Sequence, residues 1–324
     1  MKHFFRISAA AVLIWHAASM CIAQDYPQRP VRIVVPFAPG GGTTATARLV
    51  SDQLSVKLRQ QFLVDNQPGA GGTIGSALVA KSKPDGYTLL LAHSGTVAIA
   101  PHLYSKVAYD PLKDFAPVGV IAEIPLVLVV PSVVPANTLE ELVSLAQKQP
   151  GKLTYASGGV GTGGHLAAEL FAAIAQIRLH HVPYKGSGPT IPDLLAGRVD
   201  MSLGPVVPFL PHIATGRLRA LGISSAVRSP LVPNVRTMIE AGFPSYSVSL
   251  YYGIVAPAGT PSVITQMLNR EIRDLASQPQ AKLVIEKEGG SPLPVTTAEY
   301  GAIMANDYKK WGEAVKTAGV KIDE

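Results

Sequence analysis

The chain has 324 residues and a formal net charge of +6, with 15% charged and 47% hydrophobic residues. So high an apolar fraction excludes an intrinsically disordered chain, and the scattered Lys and Arg form no basic run with interleaved aromatics, which argues against a nucleic-acid partner. The 30 glycines and 27 prolines imply many turns between buried segments.

Lys2, His3 and Arg6 make a basic start, and Ile7–Trp15 is mostly apolar yet too short to span a bilayer. Cys21-Ile22-Ala23 reads as a small-x-small cleavage site. Residues 1–23 are therefore expected to be a signal peptide, with the mature chain beginning near Gln24 in a bacterial periplasm. Met20 stands where a lipoprotein site needs a small residue, which favours a released protein. Cleavage removes the charges of Lys2 and Arg6 and the sole cysteine, Cys21, leaving no disulfide and no thiol chemistry. The remaining length, about 300 residues, suits two domains.

Val31–Val35 reads as a buried strand. The turn Pro36–Gly42 follows, carrying Phe37, Ala38, Gly40, Gly41 and Gly42, and then a helix over Thr43–Arg59 with Ala47, Val50, Leu54 and Leu58 on one face. Thr43 is placed as its N-cap. Phe62–Asn66, the turn Pro68–Gly72 and a helix over Thr73–Ser82 repeat the pattern, with Gly71, Gly72 and Thr73 at the junction. A strand that turns through glycine into a helix leaves backbone N–H groups uncovered at the positive helix end, a seat for a carboxylate. A three-glycine run exceeds what a tight turn alone needs. Lys83-Pro84-Asp85-Gly86 is a turn leading into a strand at Tyr87–Leu91, and His93-Ser94-Gly95-Thr96 makes a third strand-end turn, with His93 and Ser94 as candidate ligand contacts. Leu126–Val130 is another buried strand, and Thr138–Gln149 starts on a capping box from Thr138 to Glu141.

Lys152–Ala156, the loop Ser157–Gly164 and a helix over His165–Gln176 form the next unit. The loop contains G-x-G-x-x-G at Gly159, Gly161 and Gly164. A dinucleotide site needs an acid about twenty residues on, and Leu179-His180-His181-Val182 offers none. A third anion-friendly helix start fits better, with Ser157 and Thr162 as hydroxyl donors beside Gly161. His165 opens that helix, where the dipole disfavours an imidazolium, so it reads as a neutral capping or packed ring, or as a neutral donor to ligand. Tyr184 and Lys185 occupy a strand-end loop; Lys185 is either a solvated charge or a carboxylate partner at the cleft rim. Asp200 reads as orienting a neighbouring loop. His180 and His181 alternate across a strand and cannot chelate one metal.

Leu179–Pro183, a helix over Thr190–Ala196, Val199–Leu203, a helix near Pro208–Thr215 and Leu218–Ile223 follow, then a proline-punctuated link at Ser229–Pro244 and a strand around Val248–Val255. Helices at Pro261–Ser277 and near Thr297–Ala318 close the chain. Tyr300, Met304, Tyr308, Trp311 and Val315 make a core-facing stripe on the last. Alternating strands and helices imply an α/β fold with parallel-rich sheets and ligands at the strand carboxyl ends. Nucleophile-elbow, Walker and H-E-x-x-H motifs are absent. The alternative to a binding protein is a periplasmic serine hydrolase using Ser157 and His165, for which spacing names no orienting acid.

Read in order, VPFAPGGGT, NQPGAGGTIG, KPDGYTLLLA, LTYAS with its glycine loop and HLAAELF, HVPYKGSGP, LLAGRVD, LPHIATGRLRAL and YYGIVAPAGTP resemble the periplasmic receptors of tripartite tricarboxylate transporters, the Bug (TctC-like) family. The likeness covers nearly the whole mature chain. It implies a two-domain type II periplasmic-binding-protein fold closing like a flytrap, with a discontinuous domain 1 (24–124 and 251–324) and domain 2 (125–250). The crossings fall near Pro125 and Leu250. It also implies a monomer that binds a small carboxylate through glycine-turn backbone groups and ordered water, without cofactor or metal, and that meets integral-membrane transporter subunits. Two positions depart from the family pattern. Thr44 stands where many relatives carry Asp after GGGT, and Gly204-Pro205 where they often read Asp-Asn. Both changes remove groups that hold an amino or hydroxyl, so the expected ligand is a plain or aromatic mono- or dicarboxylate rather than an amino acid.

Overall fold

The computed structural model describes residues 26–39, 42–184, 189–287, 289–319 and 321. Residues 1–25, with the expected signal and Cys21, lie outside them, as do Gly40, Gly41 and Lys185.

The elements in chain order are β1 (Val31–Val35), α1 (Gly42–Leu58), β2 (Phe62–Asn66), α2 (Thr73–Ala80), β3 (Thr88–His93), α3 (Ala100–Leu103), β4 (Phe115–Pro131), α4 (Leu139–Lys148) and β5 (Thr154–Ser157). They continue with α5 (Gly163–Ile174), β6 (His180–Pro183), α6 (Thr190–Leu195), β7 (Met201–Pro205), α7 (Leu210–Ala214), β8 (Leu218–Ile223), β9 (Ser249–Pro257), α8 (Ser262–Ala276), α9 (Pro279–Lys287), β10 (Ser291–Pro292) and α10 (Thr297–Ala318). Strand order is β2-β1-β3-β9-β4-β7-β5-β6, with β8 and β10 also pairing with β4.

The pairing is mixed rather than parallel-rich throughout. β1 pairs parallel with β2 and β3, and β5 with β6 and β7. Every ladder made by β4 or β9 is antiparallel. The reason is connectivity: the parallel strands are joined by helical crossovers, whereas β4 and β9 run between the two halves of the fold. β4 pairs with β9 from Phe115 to Pro125 and with β7 and β8 from Leu126 onward.

Both faces of β4 are covered, which explains its continuous apolar run. Leu126, Leu128 and Val130 join the main core with Leu139, Tyr155 and Phe171, while Val127 and Val129 pack with Leu194, Phe209 and Leu218. α4 buries Leu139, Leu142, Val143 and Ala146 at helical spacing. Thr138 accepts from the Glu141 N–H at its start, and Glu141 reaches back to the Asn137 N–H. α10 spans the expected residues and buries Tyr300, Met304, Trp311 and Val315, with a full capping box at Thr296 and Glu299. No described helix is long and apolar enough to cross a membrane.

Candidate functional site

A cavity of about 330 Å³ lies between the β1–β3 turns and the loop after β5, at the small end of the usual range for ligand sites. Phe37, Gly71 and His93 line it from the first half, Gly161 and Thr162 from the second. Ala38, Thr43, Gly72, Thr73, Ser94, Ser157, His165 and Tyr184 are not among the lining residues, although most adjoin one in the chain. Sequence reasoning missed the apolar wall, made by Ile99, Leu103, Leu126, Val160, Leu203 and Leu250. Gly204-Pro205, where the chain departs from the family pattern, lines the cavity together with Ser202 and Leu203 at the carboxyl end of β7, the strand end at which such folds bind ligands.

The first turn is held by Asn66. Its amide donates to the Phe37 carbonyl at 2.8 Å and to Thr44 Oγ1 at 3.0 Å. Thr44 is thus a buried structural partner. Thr43 is not the N-cap expected from sequence: α1 already begins at Gly42, which puts Thr43 inside the first turn. In the second turn Gly71 and Gly72 have φ of +61° and +94°, a region glycine enters without strain. A Cβ on Gly71 would lie 2.5 Å from the Tyr104 hydroxyl. Thr73 Oγ1 donates to the Ala70 carbonyl, so that hydroxyl serves the turn.

His93 ends β3 with its ring between Phe37 and Tyr252, at centroid distances of 5.6 and 5.3 Å. Its Nδ1 accepts from the Gly95 N–H at 2.8 Å. The proton therefore sits on Nε2 of a ring that faces the cavity. Burial pushes the His93 pKa down to about 4, so the ring stays neutral at ordinary pH. Ser94 Oγ accepts from the Tyr251 N–H at 2.8 Å and ties this turn to β9.

The loop Ser157–Gly164 carries the second set. Ser157 Oγ accepts from the Gly159 N–H and donates to the Gly159 carbonyl, both at 3.1 Å. Thr162 Oγ1 donates to the same carbonyl at 2.8 Å and accepts from the His165 N–H as N-cap of α5. Gly163 and Gly164 form the first turn of α5, where N–H groups lack helical acceptors, and both line the cavity. Gly164 also packs close to β7, because a Cβ there would strike the Leu203 carbonyl.

The serine–histidine pair expected under the hydrolase alternative does not form. Ser157 Oγ meets His181 Nε2 at 2.7 Å, whereas His165 Nδ1 accepts from the Gly161 N–H at 3.0 Å. His165 and His181 stack at 4.1 Å, and His181 stacks at 4.7 Å on Tyr155, whose hydroxyl donates to Glu169. Burial, then His181, lowers the His165 pKa to about 4; burial, then His180, lowers that of His181. The Tyr184 hydroxyl donates to Asp193 at 2.6 Å, and burial, then that bond, pushes the tyrosine pKa up to about 12. Asp200 accepts from the N–H and hydroxyl of Thr154, the orienting role read from sequence. Among the described residues no Asp, Glu, Lys or Arg lines the cavity, and no cluster of three metal-ligating side chains exists.

The family pattern described as "Tripartite tricarboxylate transporter family receptor" (TctC) matches residues 46–320. The chain is 37% identical over 304 residues to Protein BugT of Bordetella pertussis, covering 93% of this chain and 92% of that protein. Among solved structures, Rpa4515 of R. palustris with adipate is 33% identical with a TM-score of 0.76, covering 93% of this chain and 100% of that one. MatC (Rpa3494) from Rhodopseudomonas palustris with bound malate is 32% identical with a TM-score of 0.72, covering 90% of this chain and 100% of that one. These likenesses extend over nearly the whole chain and agree with the fold. The chain belongs to the TctC family of tripartite tricarboxylate transporter receptors, which are periplasmic solute-binding proteins and not enzymes.

Proposed function

We propose that this receptor captures a small carboxylate without an amino group, a mono- or dicarboxylate, aromatic ones included. The observation that carries this reading is the cavity wall: apolar side chains, glycine-loop N–H groups and the neutral His93, with no charged side chain among the described residues. An ammonium group buried there would find no carboxylate partner, a cost of several kcal/mol. A carboxylate would meet the α5 N-terminal turn and the His93 N–H, each favourable to an anion. Adipate and malate in the two relatives support the class.

In this reading the glycine turns that lead into α1 and α2, with Thr43 and Gly71–Thr73, belong to the site. Residues 24–124 and 251–324 form one domain and 125–250 the other, supported by the change of β4 partners between Pro125 and Leu126. Residues 1–23 direct export, and the ligand-bound monomer is presented to membrane subunits of a tripartite tricarboxylate-type transporter or to a sensing system. Calorimetric titration with adipate, malate, benzoate, aspartate and glutamate tests the ligand class. Tight binding of aspartate or glutamate with none of the other three would overturn it.

A further inference from the structure

The loop Ser157–Gly164 has little structure of its own: five of its eight residues are Gly158, Gly159, Gly161, Gly163 and Gly164. Glycine-rich backbone is entropically costly to fix. Yet its N–H groups can meet an anion only if they are held in one arrangement. Ser157 and Thr162 supply restraints from within the loop, and two imidazoles supply them from outside it. One proton assignment satisfies every group: Ser157 Oγ–H donates to the Gly159 carbonyl, and Ser157 Oγ accepts from the Gly159 N–H and from His181 Nε2–H. His165 accepts from the Gly161 N–H through Nδ1. The two rings stack at 4.1 Å, and Tyr155 backs His181 at 4.7 Å.

His181 itself does not line the cavity; it reaches the loop through its hydrogen bond with Ser157, and through its stack on His165, whose Nδ1 accepts from the Gly161 N–H. We propose that His181 is a positioning residue for the ligand, bracing the Gly158–Gly164 loop so that the N–H groups of Gly163 and Gly164 face the cavity. The proposal rests on the carboxylate-receptor reading for its effect on affinity. Its effect on the loop stands apart from that reading.

Two measurements on the full mature chain test it. Hydrogen exchange of the ligand-free protein should show the Gly159 and Gly161 amides losing protection at least tenfold in His181→Ala, with β1 and β3 unchanged. Calorimetry with adipate and benzoate should show His181→Ala and Ser157→Ala each weakening binding about tenfold, the double variant no more than either. His181→Gln, whose amide can still donate to Ser157, should recover most of the loss. Unchanged protection in His181→Ala, or additive losses in the double variant, would overturn the proposal. A wild-type chain that binds no carboxylate, with the exchange result as expected, would overturn the ligand reading and leave the brace standing.

Discussion

Leu103, at the end of α3, packs against Gly161 across the cavity, and a Cβ built on Gly161 would overlap Leu103 Cδ2. Gly161 also has φ of +77°, which an L side chain adopts only with strain. The two halves therefore meet at a point that tolerates no side chain. Gly161→Ala is expected to weaken carboxylate binding tenfold or more while unfolding stays cooperative. Calorimetry with adipate and small-angle scattering check this; a variant as compact as wild type and of equal affinity would refute it.

His93→Phe keeps a ring between Phe37 and Tyr252 and removes the Nε2–H donor. A hydrogen bond to a charged group contributes about 1.5–3 kcal/mol, so affinity should fall roughly ten- to 150-fold. The Gly95 N–H also loses its acceptor, which should appear separately as a small drop in thermal stability. Retained affinity would remove His93 from the site.

Both His93 and His165 have pKa values lowered to about 4, and unfolding returns them to 6.5. The unfolded chain thus binds more protons between those values. Stability from these two rings is complete above pH 6.5 and is lost as pH falls toward 4. The groups facing His165 are His181, Tyr155 and, through the tyrosine hydroxyl, Glu169. Thermal unfolding between pH 7 and 4 should show the midpoint falling, with a shallower slope in His165→Gln; equal slopes would contradict the assignment.

Asp307 behaves in the opposite sense. Burial raises its pKa to about 6 from 3.8, against the pull of Lys310 at 3.5 Å. Its charged form is penalised in the fold, so stability is lost as pH rises from 4 through 6. Asp307→Asn should gain on wild type across that window, by about 1–3 kcal/mol at most. Urea unfolding at pH 4 and 7.5 checks the sign.

Asn66→Ala would leave the Phe37 carbonyl and the Thr44 hydroxyl without their partner. A cost of about 1–3 kcal/mol is expected, with a loss of affinity because Phe37 lines the cavity. Denaturant titration alongside calorimetry separates the two effects.

Much of the fold was legible because its units are local. VRIVV, FLVDN and the last helix state their own periodicity, and α10 occupies the residues read from sequence. The first half of β4 was not legible, because Pro117, Gly119 and Pro125 interrupt its strand pattern. The strand absorbs the first two by register shifts around Pro117/Gly119 and Val120/Ala122. Glycine turns announced themselves by composition. The cavity's Leu103, Leu126 and Leu250 did not, because a leucine facing a cavity looks in sequence like any core leucine. The partner of Ser157 was hidden for another reason: His181 reaches it only through the parallel register of β5 and β6, which puts Tyr155 opposite His181.

The long antiparallel ladder has a consequence for the order in which the molecule can be assembled. His93 pairs with Tyr252, and Ser94 is tied to the Tyr251 N–H, across an intervening stretch that holds β5 to β8. β5, β6 and β7 find their neighbours among themselves and β4, while β3 must leave one edge open until β9 arrives. A chain emerging from its N-terminus can thus complete the glycine-loop wall early, and its histidine wall only when the last third has appeared.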